Sequence, residues 1–333
     1  MIYWLTKEDY AATARKLTLG LGSTFTDLQP LSYERVFYKR NLPKGHYIFT
    51  DFDRLSQYEI ECAISATDAI RKKSPASIIL NDPRWVLERV PLLTTLYRAG
   101  LNDFEVTRLD NGDRPDRFPV FVRSEDDYRR PFTGPISSAE ELEESLTSLR
   151  EQGRCLKRRI AVGFCAETDP DGFYRKYGVF KIREHMIPQH ILRGRHWMVK
   201  SRGSETNEAF ANEELNFVRN NPHQEQLREI FKLAHIDFGR IDYTIVGGRV
   251  QTFEINTNPT FPNFGKKKDV RSERREIIQQ RIIEALEALQ SVGLPGGTIR
   301  FSLPKPFLDR PRIPRRSGLP TRLYWAIKGN LKL

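Results

Sequence analysis

The run GRIDYTIVGGRVQTFEINTNPTF, residues 239–261, constrains this chain more than any other stretch. Two alternating polar–apolar segments flank Gly247-Gly248, the signature of a β-hairpin. Arg240, Asp242, Glu254, Asn256 and Asn258 gather near the strand ends. They are either the wet face of a structural hairpin or the holders of a metal and its ligand. Asp242, Glu254 and Asn256 are hard oxygen donors, and Mg²⁺ commonly takes one or two carboxylates together with phosphate oxygens. Glu254 and Asn256 are two apart on one strand and so share a face. Whether Asp242 joins them depends on the turn. A loop of Gly247 and Gly248 alone sets residue 242 opposite 253 and turns Asp242 away from Glu254. A loop that also takes in Arg249 sets 242 opposite 254, and the three donors converge. The metal reading therefore expects the longer loop.

A hairpin of this kind needs a body around it. The chain has 333 residues, 39% hydrophobic and 29% charged, an ordinary globular composition with enough length for several lobes and a full-sized core. No apolar run approaches the ~20 residues of a membrane span. The N-terminus reads as no signal peptide. Three cysteines without a CxxC pair suit a reducing cytoplasm, and six histidines without HExxH spacing argue against a histidine-bound zinc. Residues 294–333 carry nine Lys/Arg against one Asp out of a chain net of +11. This proline-rich tail suits an anionic surface, a membrane periphery or an acidic partner, or else straps the protein's own acidic face. No signature of sequence-specific nucleic-acid binding stands out, and a homo-oligomer is compatible with the chain.

Along the chain, strands and helices alternate with short turns, which predicts an α/β protein. HYIFTDFDRL reads as a strand entering a turn, SQYEIECAISATDAIRKK as a helix, and ASIIL as a buried strand. WVLERVPLLTTLYRAG reads as a helix kinked at Pro91 and capped by Gly100. FPVFVR is a strand ending in Arg123, a cation costly at the end of an apolar strand without a partner. Ser137 and Ser138 each precede a glutamate by three, the capping-box spacing. Strands RRIAVGF and YGVFKIREHMIPQHIL follow. Asn221-Pro222 reads as the start of a later helix. The helix after the hairpin has an apolar face of Ile278, Ile282, Leu286 and Leu289. GLGSTF at 20–25 lacks the third glycine of a dinucleotide fingerprint.

GRID…FEINTNP resembles the metal-binding strands of the ATP-grasp superfamily, in particular the D-alanine–D-alanine ligases and the glutamate ligases that extend ribosomal-protein tails. ERVPLLTTLYRAGL, PVFVR and the loop SEDDYRRPFTGP resemble further segments in the family's order, over residues 80–262. The resemblance implies an α+β ATP-grasp fold: an N-terminal α/β lobe (1–110), a small subdomain with a flap (111–183), a large subdomain with the metal site (184–293) and the basic tail (294–333). It implies Mg²⁺, for which Mn²⁺ could substitute, on Asp242, Glu254 and Asn256. Arg240 would be the oxyanion donor, and Arg89, Arg123 and Lys200 the phosphate contacts. The family's hinge glutamate holds adenine and ribose. Here Gly163 falls near that position and Glu167 lies four residues on, as the candidate. Two expected lysines are arginines, and the flap is poor in glycine.

On that resemblance the chain is an ATP-dependent ligase joining a small-molecule or peptide carboxylate to an amine through an acyl phosphate. A phosphotransferase on the same scaffold, or a non-catalytic nucleotide-binding protein docking through its basic tail, are the alternatives.

Overall fold

The computed structural model describes residues 1–126, 130–201, 203–264, 269–291 and 293–304. The N-terminal lobe is a parallel sheet of order β2-β1-β4-β5, formed by β1 (Ile2–Thr6), β2 (Leu28–Ser32), β4 (His46–Phe49) and β5 (Ile79–Leu80). The crossovers are α1 (Ala12–Leu21) between β1 and β2 and α3 (Gln57–Lys73) between β4 and β5. Helix α2 (Tyr33–Lys39) and the short β3 (Asn41–Pro43) complete the lobe. Ser56 and Glu59 form a reciprocal capping box at the start of α3, a device that contributes about 1 kcal/mol.

Helix α4 (Arg89–Arg98) leads to a small antiparallel sheet of order β6-β8-β7. Its strands are β6 (Val106–Arg108), β7 (Val120–Ser124) and β8 (Arg159–Gly163), covered by α5 (Ala139–Glu151). The expected kink at Pro91 does not arise. The helix begins at Arg89, so Pro91 lies in its first turn, where a missing N–H costs no internal bond. Gly100 follows the last turn with φ 69°, the left-handed position anticipated for it. Ser138, rather than Ser137, caps α5 by accepting the Glu141 N–H.

The third sheet is antiparallel, of order β10-β9-β11-β12. Its strands are β9 (Tyr174–Ile182), β10 (His185–Gly194), β11 (Phe238–Val246) and β12 (Arg249–Asn256). Helices α6 (Glu208–Asn220), α7 (Gln224–Leu233) and α8 (Ser272–Gln290) accompany it. Asn221 ends α6 in the left-handed conformation instead of starting α7, whose N-cap is His223. The apolar face of α8 is buried as its spacing predicts, with Ile278, Ile282, Leu286 and Leu289 at or below 1% exposure.

Sheet membership moves two of the boundaries expected from sequence. β9 pairs with β10 and β11, so residues 174–182 belong to the large sheet and not to a small subdomain ending at 183. β6 pairs with β8, so the small sheet begins before residue 111. The tail also changes character at its start: β13 (Thr298–Arg300) pairs antiparallel with β3, and Ile299 and Phe301 are buried against the N-terminal lobe. That stretch is a strap; residues 305–333, and the flap residues 127–129, lie outside the described residues. Trp4 of β1 packs edge-on against Phe238 of β11 at 4.9 Å and against Phe261 at 5.9 Å, so one core serves the N-terminal lobe and the large sheet. No helix among the described residues is long and apolar enough to cross a membrane.

Candidate functional site

The β11–β12 turn is the short one. Val246 pairs with Arg249, and Gly247 and Gly248 alone form the loop, both with positive φ (54° and 76°), as a type I′ turn requires. The longer loop expected for a three-donor site is absent, yet Asp242 still lies opposite Glu254. A β-bulge supplies the missing residue. Tyr243 pairs with Thr252 and Asp242 with Glu254, so Phe253 is extra in the ladder. Below the bulge, Arg240 lies opposite Asn256. Directly opposed residues of an antiparallel pair share a face, so Arg240, Asp242, Glu254 and Asn256 are brought together.

Contacts from outside the hairpin flank the bulge on both sides. β12 is the free edge of its sheet, and the segment around α4 runs beside it. The buried Asn102 side chain accepts the Thr252 N–H at 2.8 Å and donates to the Thr252 carbonyl at 2.9 Å. The Gln251 side chain likewise accepts the Asp103 N–H at 2.8 Å. At the other end of α4, the Arg89 guanidinium pairs with the Glu254 carboxylate. Positions 251–252 and 254 are thus pinned separately. The residue between them, Phe253, lines a cavity and packs near Phe104, with ring centroids 6.5 Å apart.

Asp242 is buried and fully partnered. Arg240 Nε donates to its Oδ1 at 2.7 Å, and Lys176 Nζ lies 2.9 Å from its Oδ2. Burial opposes its ionisation, but Arg240 and Lys176 outweigh it and hold the carboxyl well below the usual carboxylate range. Burial likewise opposes ionisation of Glu254, and Arg89 and then Arg123 hold it low. Arg240 also reaches Gln189 Oε1 at 3.3 Å and the Thr260 carbonyl at 3.2 Å, which fixes its plane. Asn256 Oδ1 accepts the Asn258 N–H at 2.8 Å. The described residues contain no group of three or more His, Cys, Asp or Glu able to hold a metal. A metal here would rest on two ionised carboxylates and an amide oxygen, a hard donor set that fits Mg²⁺ completed by phosphate oxygens.

Asp242 and Glu254 stand at the polar end of a cavity of about 130 Å³ between the small and large sheets. Its apolar part is lined by Phe104, Phe121, Val162, Phe164, Trp197 and Met198. Trp197 packs on Phe121 at 4.9 Å and edge-on to Phe164 at 5.6 Å. Four cations stand at the polar end: Arg89, Arg123, Lys176 and Lys200. Burial and then the neighbouring charges of Lys176, Arg123 and Arg130 lower the Lys200 ammonium pKa, and the Glu254 carboxylate opposes them.

The structure therefore brings Arg89, Arg123, Lys200, Arg240, Asp242, Glu254 and Asn256 around one end of the hairpin. Glu167 is not among them. Its carboxylate accepts the Gly247 N–H at 3.4 Å, at the hairpin turn, while Gly163, Cys165 and Ala166 line the cavity. Strand β8 ends at Gly163, and the chain beyond Ala166 carries Glu167 past the slot. Lys176 is the residue the sequence reading missed. The run YRKYGVFKI holds two lysines, Lys176 and Lys181, and which of them meets Asp242 appears only when β9 pairs with β11.

No family model matches the chain, and no curated protein matches it in sequence. Solved structures match it in fold. The ATP-grasp ligase PsnB complexed with a minimal precursor aligns at 13% identity and a TM-score of 0.51, over 87% of this chain and 99% of that one. A D-alanine–D-alanine ligase from Bacillus anthracis complexed with ATP aligns at 12% identity and a TM-score of 0.49, over 87% and 98%. An L-amino acid ligase from Bacillus licheniformis aligns at 10% identity and a TM-score of 0.42, over 77% and 66%. At these identities the likeness concerns architecture. With its parallel N-terminal lobe and two antiparallel sheets flanking a cation-lined cavity, the chain has the ATP-grasp fold.

Proposed function

We propose that this chain is an ATP- and Mg²⁺-dependent ligase that joins a carboxylate to an amine through an acyl phosphate. The observation that carries the proposal is the bulge at Phe253, which sets Asp242 and Glu254 face to face at the cationic end of an aromatic slot. The slot among Phe121, Phe164 and Trp197 suits a flat purine, and the cations beyond it suit a triphosphate. The likeness in fold to PsnB, an ATP-grasp ligase whose structure holds a minimal precursor, supports the same reading.

Each residue then has a role. Asp242, Glu254 and Asn256 would hold Mg²⁺, which when bound neutralises phosphate charge and orients the phosphoryl group; Mn²⁺ would serve with the same donors. Arg89, Arg123, Lys176 and Lys200 offset the remaining phosphate charge. A substrate carboxylate takes the γ-phosphoryl group, and an amine then displaces phosphate. Arg240, fixed by Asp242, Gln189 and Thr260, is the donor for the oxyanion of that second step. Gln251 and Asn102 hold the bulge that keeps the carboxylates together.

The test is product analysis of the full chain with Mg·ATP and pooled carboxylates and amines. A ligase releases phosphate only when both substrates are present and forms an amide. Phosphate retained on one product identifies a phosphotransferase and rejects the ligase reading. No turnover with any pool, together with no Mg·ATP binding, rejects both.

A further inference from the structure

A second chamber meets the nucleotide cavity at Arg89 and Glu254, the two residues that line both. At about 350 Å³ it is the roomier of the two, within the size range of small-molecule sites. Three parts of the fold enclose it: residues 52–60 of the N-terminal lobe, the small sheet through Arg108, Glu125 and Arg158, and the end of β12 through Glu254 and Ile255.

The lining is of two kinds. Phe52, Leu55, Ile60, Val86, Leu87 and Ile255 give an apolar floor. The charged part is Asp53, Glu88, Glu125, Asp126 and Glu254 against Arg89, Arg108 and Arg158. The arginines are already committed to carboxylates. Arg108 pairs with Glu125 at 2.5 Å, Arg158 with Asp126 at 2.6 Å, and Arg89 with Glu254. Glu88 has no hydrogen bond or ion pair from its carboxylate among the described residues. Arg54, outside the lining, pairs with Asp53 at 3.7 Å, so among the described residues Glu88 is the chamber's uncompensated carboxylate. An anionic ligand would meet excess carboxylate here, and a cationic one would relieve it.

We propose that this chamber takes the acceptor substrate, that the acceptor is a cationic alkyl amine lying on the apolar floor, and that Glu88 receives its ammonium group. The acceptor role rests on the ligase reading; the binding does not. Glu88 is exposed in the chamber, yet the protein walls, then Asp53 and Glu125, push its carboxyl up to about 7, with Arg158 pulling the other way. A carboxylate crowded by its own kind gains from a cation, and the position serves chemistry too. The ammonium held at Glu88 gives up a proton, to that carboxylate or to water, before the free amine displaces phosphate, and the next residue, Arg89, binds Glu254 at the phosphate end of the neighbouring cavity.

The test is calorimetric titration of the full chain at pH 8 with n-pentylamine and with pentanoate, a chain of similar length and opposite charge, each with and without Mg·ATP. Pentylamine should bind and pentanoate should not. Glu88→Gln should weaken pentylamine about tenfold, and Asp53→Asn, as a second variant, should weaken it in the same direction. Ligand-free melting temperatures report whether each variant is folded. The inference is overturned if wild type ignores pentylamine, if pentanoate binds as well, or if both variants bind pentylamine like wild type. Pentylamine binding without any Mg·ATP binding would keep the chamber and sink the nucleotide reading. Mg·ATP binding without pentylamine would do the reverse.

Discussion

Asp242 and Glu254 face each other across β11 and β12 because one residue, Phe253, is extruded from the ladder beside them. The two-residue Gly247-Gly248 turn would by itself set these carboxylates on opposite faces. The fold reaches the converging arrangement through a bulge pinned from outside by Asn102 and Arg89.

This relationship makes the carboxylates interdependent in ligand binding. Mg·ATP in hundredfold excess over its Kd should stabilise wild type by about 2.7 kcal/mol, seen as a rise in melting temperature. Asp242→Asn and Glu254→Gln should each remove that rise. A variant that keeps the full rise would show that its carboxylate is no part of the site.

Asp242 should also shape acid stability. Its folded-state pKa is depressed, so the stability it contributes is present above its unfolded value, near 4, and is lost as pH falls toward the folded value. Asp242→Asn, which leaves Arg240 and Lys176 without their carboxylate, should be less stable than wild type at neutral pH. The gap should close below about pH 4 by at most ~1.4 kcal/mol per pH unit. Urea unfolding across pH 2–7 measures it. A gap that stays constant would mean the ion pairs contribute nothing to folding.

Gly178 of β9 sits between His190 and Asp242 in adjacent strands. A Cβ added there would lie 2.6 Å from His190 Nε2, and that ring is buried. Gly178→Ala should cost about 1–3 kcal/mol by overpacking. Thermal unfolding without ligand is the readout; an unchanged melting temperature would show that the ring has room to move.

Arg240→Lys keeps the charge but gives up the two-point grip on Asp242, at 2.7 Å and 3.3 Å. Once a turnover assay exists, kcat should fall by about 10²–10³ while Mg·ATP affinity changes little, the pattern of a lost oxyanion donor. A loss confined to nucleotide affinity would assign Arg240 to binding instead.

Much of this molecule is legible in its residues. Alternation around Gly247-Gly248 specifies the hairpin, the spacing of Ile278, Ile282, Leu286 and Leu289 specifies the buried face of α8, and Ser138 with Glu141 marks the start of α5. These are local signals, written within a few residues of what they control. Glu254 and Asn256 share a face for the same reason: they are neighbours on one strand.

What tertiary structure alone decided is how separate segments align. Side chains on a strand alternate with a period of two, so one extra residue reverses every later side chain. At Phe253 that extra residue is flanked by contacts from Asn102 and Arg89, far away in the chain, which grip the β12 edge. The same dependence made Lys176 a partner of Asp242, carried Glu167 out of the slot to the hairpin turn, and moved residues 174–182 into the large sheet. The donors were written in the sequence; their convergence came from contacts between distant segments, which no local pattern records.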